Sequence, residues 1–209
     1  MLKILLLTFV SAISLSARAH PVSFEGAWGL MSYNDNKENE LTLNYSFKSY
    51  FSAATSFYKF EDIIEATLPR ASLLAKRWNN EDSQGNVYLG VGYGLEKSFN
   101  ESKGVGLAQI DADWESRKYY VAASYAQFFR QDSDFVKRED IKQGKVRAGF
   151  APYLAEYNDL NTWFIAQFKK QDNEDIEVTQ FVRLFYRNVL IELGTTLGGG
   201  GALNFMAHY

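Results

Sequence analysis

The chain has 209 residues, a formal net charge of −3 and no cysteine; aromatic residues make up 16% of it, with 15 glycines and 3 prolines. The slightly acidic balance argues against a nucleic-acid partner, and the lack of cysteine excludes a disulfide scaffold and a lipid-anchored N-terminal cysteine. Beyond the first residues no stretch approaches the ~20 apolar residues of a membrane helix, so any membrane role must be carried by strands.

The first element is not part of the fold. Met1-Leu2-Lys3 gives a positive start, and "ILLLTFVSAISL" (4–15) is an apolar run too short to span a bilayer. "SARA" then places Ala17 and Ala19 at the −3 and −1 positions of a small-residue cleavage site. That pattern predicts a secretory signal peptide over residues 1–19, removed after Ala19, with a single domain over 20–209 that begins at His20.

The rest predicts strands at 22–33, 40–48, 51–59, 65–78, 87–98, 105–116, 118–130, 141–156, 161–171, 175–186, 188–197 and 202–209. Ten strands is the competing count, if 40–59 is less regular. "LTLNYSF" sets Leu41, Leu43, Tyr45 and Phe47 against Thr42, Asn44 and Ser46. "VYLGVGYGLEKS" sets Val87, Leu89, Val91, Tyr93 and Leu95 against Gly90, Gly92, Gly94 and Glu96. In "QIDADWESR", Gln109, Asp111, Asp113, Glu115 and Arg117 face away from Ile110, Ala112 and Trp114. "KVRAGFAPYL" sets Val146, Ala148, Phe150 and Leu154 against Lys145, Arg147 and Tyr153; "VLIELGTTL" sets Val189, Ile191, Leu193 and Leu197 against Glu192, Gly194 and Thr196. A two-residue period separates such sets cleanly, where a helix would scatter them. Polar connections such as 34–39, 100–104, 131–140 and 171–175 alternate with tight ones at 48–49, 116–118 and 187–188.

Many of these segments run to about ten residues, the length a tilted membrane strand needs; strands of a soluble β-sandwich are shorter, about 5–6 residues. The last segment, "ALNFMAHY", alternates and ends on an aromatic. With the export signal and the alternating strands, it resembles the Gram-negative outer-membrane β-barrel proteins, porins among them. The resemblance implies an all-β, closed, antiparallel up-and-down barrel in the outer membrane with both termini periplasmic. It also implies that the barrel-assembly machinery reads Leu203, Phe205 and Tyr209 during insertion, and that outer-membrane lipid surrounds the product.

In such a barrel the polar phase lines the interior. That phase holds Glu25, Arg70, Lys76, Glu96, Asp111, Asp113, Glu115, Arg117, Lys145, Arg147, Lys169, Arg183 and Glu192. Isolated charges at that depth are costly, so they should pair or meet water. A twelve-strand interior lies between one just filled by side chains and an open pore. A constricted, charged lumen, serving transport of a small ion or envelope structure, is therefore expected. Gly90, Gly92, Gly94 and Gly194 leave room within it.

Catalysis is not expected. The barrel enzymes of the outer membrane use a histidine near the outer leaflet, and residues 21–207 contain none. Asp111 and Asp113 share a face, but without a histidine base no nucleophilic system follows from them. The two histidines raise a separate expectation. His20, first after cleavage, and His208, next to last, fall at one rim of a closed barrel. An N-terminal imidazole and α-amine plus a second imidazole make a nitrogen-rich set suited to copper.

Overall fold

A computed structural model describes residues 20–61, 64–98, 101–133, 137–156 and 158–209. The segment assigned to the signal peptide lies outside the described residues. Twelve strands form: β1 Trp28–Asn34, β2 Glu38–Lys48, β3 Phe51–Phe60, β4 Ile64–Asn79, β5 Ser83–Ser98, β6 Glu101–Ser116, β7 Tyr119–Arg130, β8 Ile141–Phe150, β9 Asn161–Gln171, β10 Glu177–Tyr186, β11 Val189–Thr196 and β12 Gly201–His208. Every strand pairs antiparallel with its chain neighbours, and β12 pairs with β1, so the sheet closes into a barrel. The ten-strand count is excluded. Closure runs to the last residue, because Trp28 and Tyr209 exchange both backbone hydrogen bonds, at 2.7 and 2.8 Å.

The alternation written in the sequence separates outside from inside. Leu41, Leu43, Phe47, Leu89, Val91, Leu95, Val146, Phe150 and Leu193 are exposed on the outer face, while Thr42, Asn44, Ser46, Asn86, Gln143 and Asn204 are buried inside. Trp28, Trp78, Trp114, Tyr119 and Tyr186 lie on that outer face toward the rim that holds the termini, and Phe57, Tyr93, Tyr125, Phe129 and Phe168 lie on it nearer the opposite rim. An apolar band of this extent is incompatible with water and has the aromatic girdles of a membrane barrel.

Strands β5 and β6 each begin four residues earlier than expected, at Ser83 and Glu101; the differences at β1, β8 and β2 bear on the interior. The first strand begins at Trp28 rather than 22, because the chain turns at Gly26 (φ +86°) and residues before it lie across the barrel mouth. Strand β8 stops at Phe150 rather than 156: Ala151 donates to Lys118 O, and Pro152 has no N–H with which to continue. Strand β2 begins at Glu38, two residues early, which brings Glu38 onto the inner face.

Candidate functional site

The interior is crossed by side chains at three levels. At the rim that holds the termini, residues 20–27 fold into the opening. Asn44 Nδ2 and Ser52 Oγ both donate to Pro21 O, at 3.1 and 2.5 Å, and Ser23 N donates to Ser46 Oγ at 2.9 Å. Val22 and Ala27 are fully buried there. The His20 imidazole lies 3.3 Å from the Asp113 carboxylate and 5.2 Å, ring to ring, from Tyr88. Asn86 bridges Asp113 to Arg77, donating to the first at 2.8 Å and accepting from the second at 2.7 Å. The segment is thus held by β2, β3, β5 and β6 together.

In the middle, charged groups meet on both walls. Glu192 on β11 accepts from Arg183 Nε at 2.7 Å, from Arg147 Nη2 at 2.8 Å and from Asn204 Nδ2 at 2.7 Å. The Arg183 guanidinium also lies 4.6 Å from the centre of the Tyr120 ring, and that of Arg147 5.1 Å from the centre of Phe181. On the facing wall Arg70 donates to Tyr58 Oη at 3.0 Å and to Gln109 Oε1 at 2.8 Å, with Glu40 at 3.6 Å.

Toward the other rim Glu38 spans the lumen. It accepts from Gln143 at 2.7 Å, Lys169 at 2.9 Å and Lys145 at 3.3 Å. Lys169 also donates to Asp35 at 2.6 Å. Strands β2 and β8 have five strands between them in either direction around the barrel, so the Glu38–Lys145 pair lies along a diameter. Beside it Tyr58, Phe60, Leu68, Val105, Leu107, Phe128 and Ile141 form an apolar cluster on the inner wall. Glu96 accepts a bidentate pair from Arg130 at 2.7 and 2.8 Å and a further bond from Arg138 at 3.2 Å, which draws Arg138 in toward the inner wall. Above the strands Lys37 pairs with Glu174, tying two loops together; that carboxylate raises the Lys37 ammonium above its ordinary range.

Of the residues that the polar phase pointed to, Arg70, Glu96, Asp111, Asp113, Lys145, Arg147, Lys169, Arg183 and Glu192 take part in these contacts or stand beside them, and Glu115 shares the phase of Asp111 and Asp113. Three do not. Lys76 stands opposite Val87 on the outer face, over the Trp78 ring, because the β4–β5 register shifts between Leu74 and Lys76 and reverses the phase; Arg77 points inward in its place. Glu25 lies in the segment before β1 and pairs with exposed Lys48 at 2.8 Å. Arg117 lies in the β6–β7 turn and pairs with exposed Glu156 at 2.9 Å. The room expected beside the glycines is already filled. A side chain at Gly90 or Gly92 would meet Arg70, and one at Gly194 would meet the Phe181 ring.

The sequence reading missed Glu38, Glu40, Arg77, Arg130 and Arg138. Glu38 fell in a segment read as a polar connection, although it shares the two-residue phase of Thr42 and Asn44. The histidines have separate neighbours: His20 has Asp113 and Tyr88, while His208 is buried over Gly29 beside Asn44. Among the described residues no group of three histidine or carboxylate side chains is placed to hold a metal. The three-nitrogen copper set is not gathered by these contacts.

No protein-family model and no curated protein matches the sequence. Solved porin structures are similar to the fold. A structure described as KdgM porin aligns over 88% of this chain and 98% of its own at 14% identity, with a TM-score of 0.51. A second, described as KdgM porin in complex with disordered oligogalacturonate, aligns over the same shares at 14% identity, with a TM-score of 0.52. The chain has the fold of outer-membrane porins, and it spans nearly the whole of both.

Proposed function

We propose that this chain is an outer-membrane barrel with both termini periplasmic, through whose narrow lumen small ions or polar solutes pass between ion pairs. The observation that carries this reading is the Glu38 contact with Lys145 and Lys169 along a diameter of the barrel. Paired side chains there divide the section into small gaps, so flow should be restricted to solutes able to slip past charged groups. The transport class rests on the porin fold, and the apolar outer face supports the location.

The oligogalacturonate of the KdgM complex is not carried over. An acidic chain needs free lumen cations, and among the described residues six already hold carboxylates, Lys145 and Lys169 on Glu38, Arg147 and Arg183 on Glu192, Arg130 and Arg138 on Glu96, while Arg77 is bonded to Asn86. Catalysis gains no support, since the charged groups satisfy one another.

Conductance in planar bilayers tests the reading. Wild-type protein is expected to give small steps, and a variant lacking Glu38, Lys145 and Lys169 side-chain charge (E38Q/K145Q/K169Q) larger ones. Large steady wild-type currents would make the lumen an open pore. Silence from both proteins would leave the barrel an envelope-structural element.

A further inference from the structure

Two lysines, on β8 and β9, stand together at the edge of the outer apolar band. Descending β8 from its loop end, the outward residues are Lys142, Gly144, Val146, Ala148 and Phe150; descending β9, they are Lys170, Phe168, Ala166 and Phe164. Lys142 and Lys170 therefore stand at the edge of the band, one two-residue step beyond Gly144 and Phe168. Gly144 is the ladder partner of both Tyr125 on β7 and Lys170 on β9. A side chain at Gly144 would touch nothing within 4 Å, so the face is notched there. The notch opens into a cavity of about 630 Å³, lined by Tyr125, Lys137, Lys142, Gly144 and Lys170 among others.

Of the cations that line the cavity, Arg138 is held by Glu96 and Glu101, and the three lysines are not so held. No carboxylate of the described residues lies within ion-pair distance of Lys137, Lys142 or Lys170, although Arg130, Arg138, Lys145, Arg147, Lys169 and Arg183 each have one. Three acids line the same cavity: Asp172 accepts from Lys142 N at 2.7 Å, Asp140 accepts from Gln127 Nε2 at 2.9 Å, and Glu139 forms no ion pair with any of the three lysines. Like charges at close cross-strand positions repel. An anion between them removes that cost.

From this geometry we infer that the notch binds the phosphate headgroup of an anionic membrane lipid. Lys142 and Lys170 hold the phosphate at the edge of the apolar band, Lys137 supports it from the loop, and an acyl chain runs down the face over Gly144 between Tyr125 and Phe168. Position favours a lipid over a free anion, because the notch continues into the band that faces acyl chains. The inference rests on the membrane-spanning part of the proposed function and not on conductance.

The test is native mass spectrometry of the detergent-solubilised barrel with phosphatidylglycerol, phosphatidylcholine or inorganic phosphate. Wild-type protein should retain phosphatidylglycerol, and K142Q/K170Q should lose at least tenfold in retention. Phosphatidylcholine should be held weakly by both, and excess inorganic phosphate should not displace the bound lipid. Equal retention by wild type and variant would overturn the site, and displacement by inorganic phosphate would overturn the lipid assignment. The variant must still shift its gel migration on heating, which separates lost binding from lost folding. If the wild type shows no such shift, the membrane reading itself has failed, before any lipid is weighed.

Discussion

Glu38 is almost fully buried and faces two ammonium groups at once. Buried pairs of this kind return little net stability, but removing one partner leaves the others uncompensated, at a cost of about 3–5 kcal/mol. Glu38→Gln strands Lys145 and leaves Lys169 with Asp35 alone. It should lower the temperature at which the folded gel band is lost, and raise conductance by unlocking two flexible side chains. Adding Lys169→Gln to that variant should recover part of the lost stability, because the two sites share one interaction and their effects are not additive. If the double variant is as unstable as the summed single changes, Glu38 and Lys169 act independently and the pair across the lumen carries no coupling.

At the scale of the strands, alternation specified the sheet but not its irregularities. Leu41 to Phe47 and Val87 to Leu95 could be read at once, since a period of two has one meaning wherever one face is apolar. The same rule failed at Lys76, because a single extra residue after Leu74 moves every later side chain of β4 to the other face. Nothing in "LLAKRW" marks that bulge; it exists only against β5. Phase also gives a face without a depth or a partner across the lumen, so Glu38, Arg130 and Arg138 could not be matched to Lys169 or Glu96 from sequence. The glycines of β5 differ in the same hidden way. At Gly94 a Cβ would collide with the Thr67 carbonyl oxygen, which is backbone, whereas at Gly90 it would meet the side-chain tip of Arg70 at 3.2 Å. Close strand approach therefore requires glycine at 94, beside a stretch of β4 whose Pro69 lacks an N–H for the ladder. Gly94→Ala should sharply reduce the yield of folded, heat-modifiable barrel, and Gly90→Ala should leave it nearly unchanged. Equal yields would show that β4 and β5 can part without cost.

For the whole molecule, the usual arrangement of a protein is reversed: the apolar surface is outside, and the interior is knit by charge. Such a chain cannot hold this fold in water, since Leu89, Val91, Leu95, Val146 and Leu193 would all be exposed to it. It also has no sheet edge to unzip, because β12 closes on β1 along six residue pairs and the Trp28–Tyr209 exchange. A closed sheet with every strand paired on both sides opens only as a whole, which is why detergent alone should not unfold it. The protein is therefore expected in the outer-membrane fraction, resistant to extraction at high pH. On a gel it should run faster unboiled, as the compact barrel, than after boiling, as the extended chain. Circular dichroism of the unboiled form should show strand and no helix. Recovery from the soluble periplasm as a single band, unchanged by heating, would mean that the exposed band meets another protein instead of lipid, and the membrane barrel would have to be abandoned.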